Sequence, residues 1–193
     1  MTYKINQIFQ SLQGEGYHSG MPAIFIRFSG CNLHCPFCDT NHTTGKHQTL
    51  QQILQAISAY NANLVVLTGG EPSLFVDDRL IEALHKSGKT IAIETNGTHP
   101  LPHGIDWVTL SPKSDFCEAA DPILKSCDEL KIVYTGKFLN TFPQINAKHR
   151  FVQPCDTGNK EHNAQLALQA AQWCIEHPQW RLSLQIHKII GIE

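Results

Sequence analysis

The fold class this sequence predicts is α/β: a partial, TIM-like barrel of about six parallel strands with few helices. Three observations lead there. Short apolar runs recur along the chain, separated by helical or irregular segments, which is the rhythm of a parallel sheet with right-handed crossovers. Only three segments carry a clear helical period, too few for the eight helices of a closed barrel. With 193 residues, the chain also falls below the about 200 residues at which closed barrels begin.

The elements follow in order. Tyr3 to Phe9 alternates as a strand, and Gly14 and Gly16 then mark a turn with close backbone approach. Ala23 to Phe28 is a continuous apolar run interrupted by one charge, Arg27, as in a buried parallel strand. Leu50, Ile53, Leu54 and Ile57 recur at helical spacing behind Thr49, a candidate N-cap. Leu64 to Leu67 is a short buried strand. Asp77 or Asp78 can cap a helix bearing Leu80, Ile81 and Leu84 that stops near Gly88. Strands follow at Ile91 to Ile93, Trp107 to Leu110, Leu130 to Val133 and Arg150 to Val152, with Asp115 to Ser126 irregular or a short helix. Asn159 caps a long helix through Ile175 with Leu166, Ala170 and Trp173 on one face, and Pro178 stops it. Arg181 to Ile186 reads as a last strand.

Composition narrows the function. The length suits a single domain over residues 1–193. Net charge is −2 and no basic stripe is present, so neither nucleic acid nor an anionic membrane is an expected partner. No apolar run approaches a membrane span and the N-terminus lacks a signal-peptide core, so a cytoplasmic location is expected. Seven cysteines, an odd count, argue against a disulfide framework. Cys117, Cys127, Cys155 and Cys174 are scattered and read as small buried apolar residues, with Cys155 beside a candidate site segment.

The chemistry concentrates in Cys31, Cys35 and Cys38, which share one loop at C-x3-C-x2-C spacing. Clustered thiolates bind zinc, Cu(I) or an iron–sulfur cluster. Three are fewer than a closed site needs, so either a fourth ligand comes from elsewhere or one metal position stays open. A Cys3His zinc site would take its fourth ligand from His34, His42 or His47. Thr68-Gly69-Gly70-Glu71-Pro72 follows a buried strand, and its paired glycines let backbone groups reach a ligand. Arg27 within an apolar strand needs an anionic partner, either an internal carboxylate or a ligand.

The cysteine spacing, with Gly-Gly-Glu-Pro some thirty residues on, resembles the radical S-adenosylmethionine superfamily. More segments resemble one family within it, 7-carboxy-7-deazaguanine synthase. They are Gln10 to Gly16, Arg27, Cys38-Asp39-Thr40, Glu94 to Gly97, Ser111-Pro112-Lys113 and Gln185 to Lys188. The resemblance runs over essentially the whole chain. It implies conversion of 6-carboxy-5,6,7,8-tetrahydropterin to 7-carboxy-7-deazaguanine plus ammonia, a step toward queuosine. It also implies a reduced barrel, a homodimer, a [4Fe–4S] cluster, S-adenosylmethionine, Mg²⁺ and a reducing partner such as flavodoxin.

Residue roles follow from the same resemblance. Cys31, Cys35 and Cys38 would hold the cluster. Phe37, Cys38, Asp39, Gly70, Ser111, Pro112, Lys113, Gln153, Pro154, Cys155 and Asp156 would line S-adenosylmethionine. Thr40 would offer a hydroxyl to Mg²⁺. Leu12, Gln13, Gly14 and Thr68 would contact the pterin, joined by Glu15, Glu94 and His187, with the C-terminal carboxylate of Glu193 at its donor edge. Arg27 would clamp the substrate carboxylate, which guanidinium geometry suits. Two alternatives stand beside this reading: a glycyl-radical-enzyme activase, and a non-enzymatic zinc-stabilised binding module.

Overall fold

Strand period and polarity organise the chain into one nine-stranded sheet; the computed structural model describes residues 2–137 and 139–193. Thr2–Leu12 (β1) and Pro22–Phe28 (β2) form an antiparallel hairpin, and Lys46–Thr49 (β3) adds antiparallel to β1. From β2 onward every pairing is parallel. Leu64–Gly69 (β4), Thr90–Thr95 (β5), Trp107–Leu110 (β6), Ser126–Tyr134 (β7), Asn146–Pro154 (β8) and Arg181–Leu182 (β9) add one after another in chain order. The sheet order β3-β1-β2-β4-β5-β6-β7-β8-β9 is open, with β3 and β9 at its ends. The expected parallel array is present, and its last member is only two residues long.

Helices cover the outer face where the helical period demanded it. Leu50–Ser58 (α1) is capped by Thr49 with a reciprocal bond to Gln52, Asp78–Lys86 (α2) by Asp77, and Lys160–Glu176 (α3) by Asn159. Ile53 and Ile57 of α1 and Leu80, Ile81 and Leu84 of α2 pack on the outward residues of β2, β4 and β5, such as Ile24, Ile26, Val65 and Ile93. Each such side chain, fully buried, contributes about 1.5–3 kcal/mol. Leu166 and Ala170 bury α3 toward β7 and β8, with Trp173 packed beside them.

Two expectations need correction. The last strand ends at Leu182, and Ile186–Ile190 is instead a short helix (α4) closed by Gly191 at φ +73°. Leu182, Leu184 and Ile186 alternate as a strand would, but the Ile186 N–H donates to the Gly14 carbonyl at 3.0 Å, which turns the chain over the β1–β2 hairpin. The scattered cysteines also do not form one class. Cys127 and Cys155 are buried, whereas Cys117 and Cys174 are half-exposed, and the Cys117 sulfur lies 3.5 Å from that of Cys35.

The inner face changes character along the strands. At their N-terminal ends Ala23, Phe25, Leu64, Val66 and Ala92 pack with Phe9 and Trp107. Further along the same inward rows, at the period of two, stand Arg27, Thr68, Glu94, Lys131 and Gln153. The hairpin loop seals the apolar end. Tyr17 stacks on Trp107 at 4.7 Å, its N–H donates to Glu129 at 3.0 Å, and the Gly16 N–H donates to Ser183 at 2.9 Å. Gly16 adopts φ +65°, and a Cβ there would strike the Glu129 carboxylate.

Asp77 joins two elements, since it accepts from the Leu80 N–H at 3.0 Å and the Tyr3 hydroxyl at 2.8 Å. Asp77→Ala should therefore cost about 2 kcal/mol in urea unfolding, a lost cap plus an unpaired hydroxyl. Asp77→Asn, itself a good cap, should recover most of that loss.

Candidate active site

The C-terminal strand ends surround a cleft of about 390 Å³. The three loop cysteines open onto it, Cys38 exposed and Cys31 and Cys35 half-buried. Their loop is pinned at several points. Leu33 is buried, Asn32 exchanges hydrogen bonds with Asn96 and Thr98, and Phe37 meets Phe116 edge-on at 4.7 Å. Burial, then the Cys117 thiol, push the Cys35 thiol up to about 12, with nearby Lys113 pulling the other way. Binding to a metal deprotonates such thiols.

The loop after β4 lies directly against this one. Gly69 sits at φ +123°, and a Cβ on Gly70 would run into the Gly30 carbonyl. Glu71, 1% exposed, faces inward: it accepts from the Thr95 hydroxyl and the Asn96 N–H, both at 2.7 Å, and from the Ser73 N–H at 3.0 Å. Its carboxylate splints the loops after β4 and β5, leaving the Gly70 backbone at the cleft wall.

The segments expected to meet S-adenosylmethionine also reach the cleft. Phe37, Asp39, Ser111, Lys113, Gln153, Pro154, Cys155 and Asp156 line it. Pro112 does not; it is buried behind the wall while its two neighbours turn inward. Lys113 donates to the Ser111 hydroxyl at 2.6 Å and carbonyl at 2.7 Å, and burial pulls its ammonium down to about 8. Lys188, on α4, binds Asp39 at 2.6 Å and Asp156 at 2.7 Å, holding the Asp156 carboxyl down at about 2. The Thr40 hydroxyl lies 3.4 Å from Arg27 and 3.5 Å from Asp39.

Opposite these lie the residues assigned to the pterin: Leu12, Gln13, Gly14, Glu15, Arg27, Thr68, Glu94, His187 and Glu193 all line the same cleft. Gly14 is required for the approach of α4, because a Cβ there would strike the His187 ring. Glu193 folds back onto β1, its side chain taking Gln7 and its main-chain oxygen taking Ser11. Glu94 accepts from Gln13 at 3.0 Å and Thr68 at 3.2 Å. Arg27 stands apart. Its Nε is buried without a hydrogen-bond partner, and among the described residues no carboxylate pairs with it. The internal ion pair that the sequence left open is therefore not what holds it.

Residues 25–129 match the Radical SAM superfamily. Over its full length the chain is 50% identical to the 7-carboxy-7-deazaguanine synthase of Bacteroides thetaiotaomicron, again over that protein's full length. It is 40% identical to the synthase of Caulobacter vibrioides, with full coverage of both. This chain belongs to the 7-carboxy-7-deazaguanine synthase family. Among solved structures, that of QueE from Escherichia coli superposes with a TM-score of 0.75 at 31% identity, covering 97% of this chain and 95% of the other.

The superfamily's cofactors, a [4Fe–4S] cluster and S-adenosylmethionine, suit what this chain presents. Three thiols from one pinned loop face the cleft beside the side-chain-free backbone of Gly70. Among the described residues no three His, Cys, Asp or Glu side chains converge tightly enough for a single metal ion.

Three functional positions escaped the sequence reading. Lys131 is a lone charge between Leu130 and Ile132, the same signal that singled out Arg27. Glu71 and Lys188 stand within motifs that were recognised, but only the fold shows whom they bind.

A guanidinium kept for a ligand should not be needed for folding. Arg27→Met should leave urea-unfolding stability unchanged or raise it by up to about 2 kcal/mol. A loss of about 3–5 kcal/mol would reveal an internal partner for the charge.

Proposed function

We propose that this protein converts 6-carboxy-5,6,7,8-tetrahydropterin to 7-carboxy-7-deazaguanine and ammonia, a step toward queuosine and other 7-deazapurines. The observation that carries the reading is Arg27, a guanidinium with no carboxylate partner among the described residues, facing the same cleft as three thiols and the carboxylates of Glu15 and Glu94. A pterin bearing a carboxylate at one end and N–H donors at the other complements both features. The relatives' name and their full-length similarity support the same substrate and leave the activase and zinc-module readings without support.

Cys31, Cys35 and Cys38 would hold the cluster, and Gly70, Ser111, Lys113 and the Gln153–Asp156 segment would line S-adenosylmethionine. When bound, these two cofactors supply a hydrogen-abstracting radical; the protein's task is to bind, orient and shield. Arg27 would fix the substrate carboxylate by two parallel hydrogen bonds. Glu15 and Glu94, as acceptor-only groups, would take the ring's N–H donors, with His187 and the Glu193 terminus closing over it. Thr40 would supply one oxygen to Mg²⁺, an ion that takes few protein ligands and completes its shell with substrate and water. A homodimer, a flavodoxin-like reductant and a cytoplasmic setting complete the proposal.

Anaerobic incubation with the carboxypterin, S-adenosylmethionine, Mg²⁺ and a reductant should give the deazaguanine, identified by mass. Absence of that product from iron-replete protein would overturn the reading. Replacing Cys31, Cys35 or Cys38 with Ala should abolish reductive cleavage of S-adenosylmethionine, whereas Cys127→Ala and Cys174→Ala should keep full iron content. Iron loss in either of the latter would mean that the ligand set is wrong.

A further inference from the structure

The family reading accounts for Glu15 and Glu94 but not for the amine beneath them. Lys131 is 5% exposed, at the inner end of the cleft. Its Nζ bonds one oxygen of Glu15 and lies 3.8 Å from one oxygen of Glu94. The second oxygen of Glu15 takes Gln185 at 2.9 Å, and that of Glu94 takes Thr68 at 3.2 Å. Both carboxylates are thus gripped at each oxygen, the Lys131-facing oxygen of Glu94 also by Gln13 at 3.0 Å, and the Glu15 oxygens and the Thr68-bonded oxygen of Glu94 each keep a further lone pair for a ligand. A compact ammonium with three donors can serve two carboxylates at once.

We propose that Lys131 is a positioning residue: it holds the Glu15 and Glu94 carboxylates side by side, so that the cleft accepts a heterocycle by a row of N–H donors. The proposal rests on the pterin reading for the identity of that heterocycle, not for the state of the carboxylates. Burial alone would push the Glu15 carboxyl up, and Lys131 holds it well below the usual carboxylate range. The other charged groups acting on this cluster are Glu129, whose carboxyl burial raises, and Lys113. Among the described residues Lys131 is the only amine within ion-pair distance of Glu15 and Glu94, so removing it leaves adjacent carboxylates without a counter-charge.

The test uses Lys131→Met in the cluster-loaded protein with two independent readouts. Infrared difference spectra of ligand-free protein at pH 7 should show a protonated carboxyl band in K131M that the wild type lacks and that E15Q/K131M loses, which separates Glu15 from Glu129, whose carboxyl Lys131 also lowers. Affinity for the carboxypterin should fall about tenfold or more, the scale of one charge-assisted hydrogen bond, and the loss should deepen as pH falls. Pterin-free reductive cleavage of S-adenosylmethionine should stay within about twofold, since the side chains that Lys131 bonds or faces, Glu15 and Glu94, are not among those assigned to that cofactor. No new carboxyl band, unchanged pterin affinity, or equal damage to both ligands would each overturn the proposal. If K131M does not fold, E15Q/K131M is compared with E15Q. A further loss of pterin affinity through Glu94 supports the role, and none overturns it. Wild-type protein that fails to bind the pterin would sink the substrate reading instead, while the infrared comparison would still decide the role of Lys131.

Discussion

Everything here depends on the two-residue period of a strand whose both faces are buried. Half the side chains of every parallel strand must enter the barrel interior, and a closed interior tolerates polar groups only where they are paired or meet a ligand. The chain meets this by dividing each inward row. Phe9, Phe25, Val66 and Ala92 fill one end, and Arg27, Thr68, Glu94 and Lys131 stand at the other. The polar end coincides with the C-terminal strand ends, where the cysteine and glycine loops emerge. Fold and cleft are therefore a single arrangement: the polar residues of the inward rows are the ones that line the cleft.

The charges that the fold encloses differ in how they are satisfied, Glu71 and Lys131 being buried and Arg27 half-buried with its Nε shielded. Glu71 is enclosed by three donors and ties loops together. Lys131 is shared between carboxylates that themselves line the cleft. Arg27 has a hydroxyl within reach, the face of Phe9 at 5.7 Å, and no counter-charge among the described residues. Leaving a buried charge uncompensated costs several kcal/mol, about 3–5 when a partner is deleted. An anion bound at the shielded Arg27 Nε would remove part of that cost.

Much of this was legible because the signals were local. Thr49, Asp77 and Asn159 cap the helices they were expected to cap, since capping needs only a side chain and an N–H three residues on. The central strands stood out as apolar runs, and the cysteine spacing announced a metal-binding loop. What stayed hidden depends on contacts distant in sequence. The polar β3 strand, Lys-His-Gln-Thr, has no apolar pattern and exists because β1 offers an edge. The α4 turn depends on the Gly14 carbonyl, and the approach of Cys117 to Cys35 on the packing of Phe116 against Phe37. Lys131 carried the right signal, a lone charge in an apolar run, but its partners lie on other strands.

The claim at the centre is that Arg27 is kept unpaired for a ligand's carboxylate. The most direct test compares wild-type affinity for tetrahydropterin with and without its 6-carboxylate, under one buffer and one concentration of S-adenosylmethionine. A bidentate guanidinium pair predicts binding at least about tenfold tighter for the carboxylated ring. Equal affinity for the two would contradict it.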